Sequence, residues 1–277
     1  MTGSSVSEAI KDGRMPGRAW MYANYHCNLA CTYCLTESAP RVPRREFAPE
    51  RMIEVAAEAA ELGFTDIGVT GGEPFLLKWL PDRLAEVSEL LPVLVLTNGT
   101  LFTQGGLDRL APIVDRPVAL QISLDRPDPQ TNDEMRGPEN FHKVVTAIPA
   151  LVQRGIRVRI ATTVESIEDA ELDRLCALHR ELGVPDDDHV IRPIVNRGRA
   201  IDHRLGIRAR HIDLPAELTI TVDGAFWSPF GPTVHGGVLD TDLLITRTTR
   251  PLSVPAEAML RLIEGQGSGG DVALNIR

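Results

Sequence analysis

The residues with the most chemical content lie in Tyr25-His26-Cys27-Asn28-Leu29-Ala30-Cys31-Thr32-Tyr33-Cys34, where three of the chain's four cysteines fall within eight residues. Thiolates spaced as C-x3-C-x2-C on one short loop can wrap three corners of a cubane iron–sulfur cluster. No fourth ligand lies nearby in sequence, so one iron would stay open to an outside chelator. Thiolates suit zinc as well. A structural zinc site, however, wants four closed ligands, usually from paired C-x2-C units. His26, next to Cys27, is badly placed as the fourth, and Cys176 falls on an apolar helical face with Leu172, Leu175 and Leu182. The spacing favours a cluster, and a zinc-stabilised, non-catalytic scaffold stays open as the reading of another class.

Further polar residues gather just after short apolar runs. In Gly71-Gly72-Glu73-Pro74 the glycines let backbone carbonyls approach a ligand, and Glu73 can accept from an ammonium; the same string also reads as a plain turn. Thr97-Asn98-Gly99-Thr100 and Ile122-Ser123-Leu124-Asp125 offer hydrogen bonds from Asn98, Ser123 and Asp125, each equally suited to initiating a turn. Arg136 could meet a carboxylate, although a lone arginine is more often in a surface ion pair. Thr163 and Arg192 close the series. His211 and His235 are expected to be structural or exposed. Cys176 is expected to be an inert core thiol, with a hydrogen-atom donor as the sharper alternative.

Positioning these residues requires a repeating scaffold. Runs rich in Val and Ile predict strands at 18–25, 66–70, 93–97, 117–123, 156–163 and 189–195. Segments of helical period lie between them, at 49–63, 141–154 and 168–182, each ending on a glycine. Six such units suit a partial (β/α)6 barrel, which carries chemistry at the carboxyl ends of its strands. An open dinucleotide-binding sheet is disfavoured, because no G-x-G-x-x-G follows any strand. The singled-out residues do fall at strand ends. After about residue 200 the rhythm stops: 218–222 and Phe226-Trp227 around Asp223-Gly224 read as a hairpin, and a last helix is expected near 256–264. The expected division is a flexible N-terminus at 1–17, the barrel at 18–200, a C-terminal extension at 201–264 and a tail at 265–277.

With these residues in view, the chain resembles the radical S-adenosylmethionine (SAM) superfamily. Cys-Asn-Leu-Ala-Cys-Thr-Tyr-Cys, with Tyr33 before the last cysteine, is similar to the family's signature loop, and Gly71 to Pro74 to its GGEP motif. The strand ends at Asn98, Ser123 and Asp125, and the stretch from Arg136-Gly137 to Phe141-His-Lys-Val, are similar too. The resemblance implies a [4Fe–4S] cluster on Cys27, Cys31 and Cys34. It places SAM near Gly71, Gly72, Glu73, Pro74 and Tyr33. Asn98, Ser123 and Asp125 would face the ligand centre and Arg136 a carboxylate of SAM or substrate, Thr163 would stand at the end of the fifth strand, and Arg192 and the Gly198-Arg199 pair would lie near the adenine. It further implies a 5′-deoxyadenosyl radical that abstracts hydrogen, and an electron donor like flavodoxin or ferredoxin. Residues 218–239 resemble a cut-down SPASM or twitch extension. Thr221-Val-Asp-Gly-Ala-Phe-Trp-Ser-Pro229 lacks cysteine, so an auxiliary cluster held by cysteines is excluded by counting.

Net charge of −9 over 277 residues, with no basic block, gives no electrostatic draw to nucleic acid or an anionic membrane. No apolar run approaches membrane-spanning length and residues 1–17 lack a signal peptide's apolar core, so a cytoplasmic protein is expected. The expected substrate is a small metabolite of a biosynthetic pathway, with a ribosomally made precursor peptide as the alternative. The residues before the first strand are expected to be too few for the leader-binding domain common in peptide maturases, which a separate partner protein could supply instead. No cobalamin-binding domain is expected.

Overall fold

The computed structural model describes residues 5–266. Six parallel strands form its centre: β1 (Arg18–Tyr22), β2 (Asp66–Thr70), β3 (Val93–Thr97), β4 (Val118–Ser123), β5 (Arg157–Val164) and β6 (His189–Pro193). Before, between and after them run α1 (Ser5–Lys11), α2 (Pro49–Glu61), α3 (Leu80–Ser88), α4 (Gln104–Asp108), α5 (Pro129–Arg136), α6 (Asn140–Gln153), α7 (Asp169–Glu181), α8 (Arg199–Asp202) and α9 (Ser253–Gln266). Short strands complete the chain: β7 (Thr219–Thr221), β8 (Gly224–Phe226), β9 (Val234–His235), β10 (Val238–Leu239) and β11 (Leu244–Thr246).

The helices form where local chemistry starts and stops them. Pro49 pre-sets the first turn of α2, Met52, Val55, Ala56 and Ala59 share its buried face, and Gly63 at φ +88° ends it. Asp128 caps α5 by accepting from the Thr131 N–H at 3.0 Å. Strand residues alternate between two environments, as a pleat demands. Ala19, Met21, Ile67, Val69, Leu120 and Ile122 join the apolar core, together with Val55, Leu84 and Ile148 from the helices. Trp20, Tyr22, Thr70, Leu96, Thr163 and Arg192, on the opposite faces, line a cleft. Gly68 is required there: a Cβ on it would lie 2.2 Å from the Trp20 ring, which rests flat on β2.

Sheet order is β11-β8-β7-β1-β2-β3-β4-β5-β6. The α/β class and the parallel centre match the sequence expectation, and the barrel is not closed. β7 pairs parallel with β1, through Trp20 opposite Thr219, so the free edge of β1 is taken by the C-terminal segment rather than by β6. β8 and β11 extend the sheet antiparallel. The hairpin expected as part of a separate extension is therefore the continuation of the main sheet.

Two end expectations need correction. Residues 5–11 are helical, with Val6 and Ala9 fully buried, because α1 packs on α9 and Arg14 reaches Glu264 at 2.7 Å. They are not a flexible lead-in. Helix α9 runs through residue 266, past the expected start of the tail, and residues 267–277 lie outside those described, as do 1–4. No helix among the described residues is long and apolar enough to cross a membrane.

Candidate active site

The cysteine loop follows β1 and covers the carboxyl ends of the strands, held by three groups of contacts. The first is the Gly71-Gly72 turn after β2. Gly72 N–H donates to Asn24 O at 2.8 Å and Glu73 N–H to His26 O at 3.0 Å. A Cβ on Gly71 would sit 2.6 Å from Asn24 O, and one on Gly72 2.2 Å from His26 O. The glycines are needed because two stretches of backbone touch here. Glu73 is fully buried, and its carboxylate accepts from Phe75 N–H at 3.0 Å, Thr97 Oγ1 at 2.9 Å and Asn98 N–H at 2.7 Å. It ties the ends of β2 and β3 together instead of standing free for an ammonium, and burial pushes its pKa up against those hydrogen bonds. Pro74 opens the buried turn behind it.

The second group comes from β3. Asn98 donates to Asn28 Oδ1 at 2.9 Å and reaches Cys27 Sγ at 3.5 Å, while its own Oδ1 accepts from Thr100 N–H at 2.9 Å. Burial, with Glu73 nearby, pushes the Cys27 thiol up to about 12. A metal or cluster would reverse that by displacing the proton.

The third group links the loop to β4, β5 and α5. Asp125, fully buried, accepts from Tyr33 OH, from Arg136 Nη1 at 3.1 Å and from Thr163 N–H at 2.8 Å. Arg136 also donates to Tyr33 OH. It is 4% exposed, so the surface ion pair considered from sequence is instead a buried one. Thr32 N–H donates to Met135 O at 2.9 Å, and Cys31 Sγ lies 3.7 Å from Arg136 O. Asp125 and Arg136 thus satisfy each other, although Arg136 Nε is buried without a partner. Ser123, half-buried at the end of β4 and paired with Ala161 of β5, makes no side-chain hydrogen bond among the described residues.

The roof is completed by a residue that sequence noticed only in passing. Arg199 Nη1 donates to Cys31 O at 2.6 Å, Nη2 to Ser38 O at 3.1 Å, and its N–H to Cys34 O at 2.9 Å. Gly198 beside it, at φ +57°, would press a Cβ to 2.3 Å from Leu35 O. Arginine forks on backbone carbonyls fix a loop without spending a carboxylate.

Beneath the loop lies a cleft of about 200 Å³, walled by Tyr33, Cys34 and Thr36 from the loop, Thr70 and Gly71 from β2, Thr163 from β5, Arg192 from β6, and Pro229 and Phe230. Thr163, Arg192, Tyr33 and Gly71 therefore converge; Asn98, Asp125, Arg136 and Glu73 brace the loop from behind. Trp20 on β1 forms the cleft floor and donates Nε1 to Glu217 Oε2 at 2.5 Å. Pro229 and Phe230 carried no sequence signal, because their role depends on β7 docking to β1. Trp227 is buried in the core. Cys176 is half-exposed on α7, with Sγ 3.8 Å from His189 Nδ1, away from the cleft and not in the core. His211 lies in a surface turn, and His235 is exposed beside Asp202 at 3.1 Å.

The donor set suits a cubane better than zinc. The Sγ atoms of Cys27, Cys31 and Cys34 do not all come within 4.8 Å of one another. A closed zinc site, with Zn–S near 2.3 Å, would bring them to about 3.8 Å.

A fold and a site of this kind define a radical SAM enzyme. The chain belongs to the radical SAM superfamily, whose family model matches residues 21–178, and it uses that family's [4Fe–4S] cluster and SAM. It is 32% identical over 170 residues to a probable GTP 3′,8-cyclase of Archaeoglobus fulgidus, covering 60% of this chain and 56% of that one. It is 30% identical over 155 residues to the sporulation killing factor maturation protein SkfB of Bacillus subtilis, covering 55% and 37%. Streptococcus suis SuiB bound to S-adenosylmethionine superposes with a TM-score of 0.56 at 16% identity, over 68% of this chain and 43% of that one. The chain spans little more than half the length of the curated relatives it matches, or less.

Proposed function

We propose that Cys27, Cys31 and Cys34 hold the [4Fe–4S] cluster and that the chain abstracts a hydrogen atom from a small metabolite bound under the cysteine loop. The observation carrying this is the cleft itself, which is lined by both Cys34 of the cysteine loop and Gly71 of the turn after β2. When bound, the cluster supplies the electron that splits SAM into methionine and a 5′-deoxyadenosyl radical. The chain's own residues position and exclude. Gly71 offers backbone to the methionine end, with Gly72 and Pro74 shaping the turn behind it, Tyr33 and Thr163 line the middle, and Phe230 closes the cleft against water. Glu73, Asn98, Asp125, Arg136 and Arg199 act as positioning residues for the loop. Residues 18–200 form the catalytic unit in this reading, and 201–264 a SPASM- or twitch-like extension without its own cluster. A flavodoxin- or ferredoxin-like protein supplies the electron, and the setting is cytoplasmic.

A precursor peptide is the second reading, supported by the open side of the sheet. There Ile191 and Ile207 are 44% and 52% exposed at the edge beyond β6, and SkfB is a maturation protein by name.

The test is anaerobic reconstitution with iron and sulfide, then SAM and dithionite, following 5′-deoxyadenosine. A brown protein that releases it, and loses both properties in Cys31→Ala, is the expected result. A colourless protein with one equivalent of zinc and no 5′-deoxyadenosine would overturn the assignment.

A further inference from the structure

Between β6 and β1, where a closed barrel would be sealed, a second cavity of about 470 Å³ runs behind Phe230. It shares Trp20, Arg192, Pro193, Val195, Pro229 and Phe230 with the cleft under the cysteine loop, so the two are neighbours through one wall of side chains. Arg192 is the cationic side chain common to both. Among the described residues its guanidinium makes no hydrogen bond and meets no carboxylate within 4.0 Å.

The surrounding charges do not neutralise it. Arg18 is paired with Asp66. Arg157 and Arg159 share the single carboxylate of Asp188, at 2.7 and 3.4 Å, and Arg159 Nε has no hydrogen bond. Glu217 attracts Arg192 from a distance but is held by Trp20 Nε1. The cavity wall itself carries three arginines, Arg18, Arg192 and Arg208, against the carboxylates of Asp213, which Arg210 holds, and Glu217; Arg192 is the unpaired one that also borders the cleft. Burial and the neighbouring Arg159 both work against its charge. A half-buried guanidinium with no partner, bordering two cavities, is a ready site for an anionic group. Its five donors in a fixed fork match a carboxylate or a phosphate.

We infer that Arg192 binds an anionic group of the substrate, a carboxylate or a phosphate, in the cavity between β6 and β1. This rests on the proposed function, because it seats the substrate's tail in that cavity and its reacting C–H toward the cysteine loop. The exposed Ile191 and Ile207 flank the entrance and suit an apolar or stacked portion of the same molecule.

The test is anaerobic calorimetry on the reconstituted protein with SAM bound, titrating pyrophosphate and, separately, glutarate. The same titrations are run on Arg192→Gln and Arg192→Lys, with SAM affinity measured for each. One anion is expected to bind, and which one identifies a phosphate-bearing or a carboxylate-bearing substrate. Its affinity should fall about tenfold or more in Arg192→Gln, as for a lost charge-assisted pair, and less in Arg192→Lys, which also serves if the glutamine variant does not fold. The loss should exceed any loss of SAM affinity. Absence of binding by either anion, equal binding by wild type and variant, or an equal or larger loss of SAM affinity would each overturn the inference; the last would make Arg192 a SAM ligand. Failure of the wild type to form 5′-deoxyadenosine would overturn the proposed function instead, and the anion titrations would still be readable.

Discussion

The buried Asp125–Arg136 pair gives the sharpest quantitative handle on how the cysteine loop is held. Both side chains are almost sealed, at 0% and 5% exposure, and their charged atoms are 3.1 Å apart. At an effective dielectric of about 20 their attraction is about 5 kcal/mol, much of it offset by the cost of desolvating both ions. Replacing Arg136 with Met removes the attraction and leaves the desolvation of Asp125 in place, which typically costs about 3–5 kcal/mol. Asp125 keeps Tyr33 OH and Thr163 N–H as donors, so the lower end, about 3 kcal/mol, is expected. That corresponds to a melting temperature lower by about 6–12 °C. Tyr33 also loses a donor on the loop, so iron content after reconstitution should fall with stability. The double variant Asp125→Asn with Arg136→Met removes both charges and should be more stable than the sum of the two single losses by about 2 kcal/mol. The assay is urea unfolding of the four proteins as a double-mutant cycle, with iron content measured in parallel. A coupling below about 0.5 kcal/mol would refute the view that this pair, rather than general packing, braces the loop.

Two further outcomes follow from single features. Gly72→Ala would place a Cβ 2.2 Å from His26 O, a clash with backbone that cannot move aside. SAM affinity should fall at least tenfold and stability by about 1–3 kcal/mol, whereas Gly105→Ala, which meets nothing within 4 Å, should leave both unchanged; calorimetry and thermal melting check this. His179, fully buried with neither ring nitrogen hydrogen-bonded, has its pKa pushed down to about 3 by burial, with His189 adding to the effect. The unfolded chain takes the proton near 6.5, so this contribution is complete above that pH and is lost as pH falls toward 3, at about 1.4 kcal/mol per unit. Cluster-free His179→Phe should therefore gain roughly 2 kcal/mol on wild type between pH 6.5 and 5 in urea unfolding, and parallel curves would contradict it.

Much of the scaffold was legible because its signals are local. β2 and β3 fall on their expected residues, 66–70 and 93–97, since short Val- and Ile-rich runs between glycine-stopped helices have little other choice. The cysteine triplet and Gly71-Gly72 were legible because close backbone approach and thiolate spacing are written in residue type. What sequence could not give was direction. Glu73, Asn98 and Asp125 look like ligand contacts as strand-end polar residues, yet their side chains turn inward to hold the loop, and only the packed structure reveals the partner each one meets. Trp20 and Phe230, 210 residues apart in sequence, line the same cleft only because β7 reaches β1. The helical start at 5–11 was missed because a seven-residue segment gains its stability from α9, not from its own propensity.

The seat that β7 takes beside β1 also sets a schedule for biosynthesis. Trp20 faces Thr219 across that pairing, so this edge of β1 waits for a partner made 199 residues later. At typical elongation rates of about 5–20 residues per second the wait is roughly 10–40 s. During it, β1 presents an unpaired edge of exposed amides and carbonyls, the feature that invites pairing with another nascent chain. The cysteine loop emerges directly behind that edge, and the open cleft floor beside it lacks its Phe230 cover until the C-terminal strands arrive. The β7–β1 pairing thus closes both the sheet edge and the cleft in one late step.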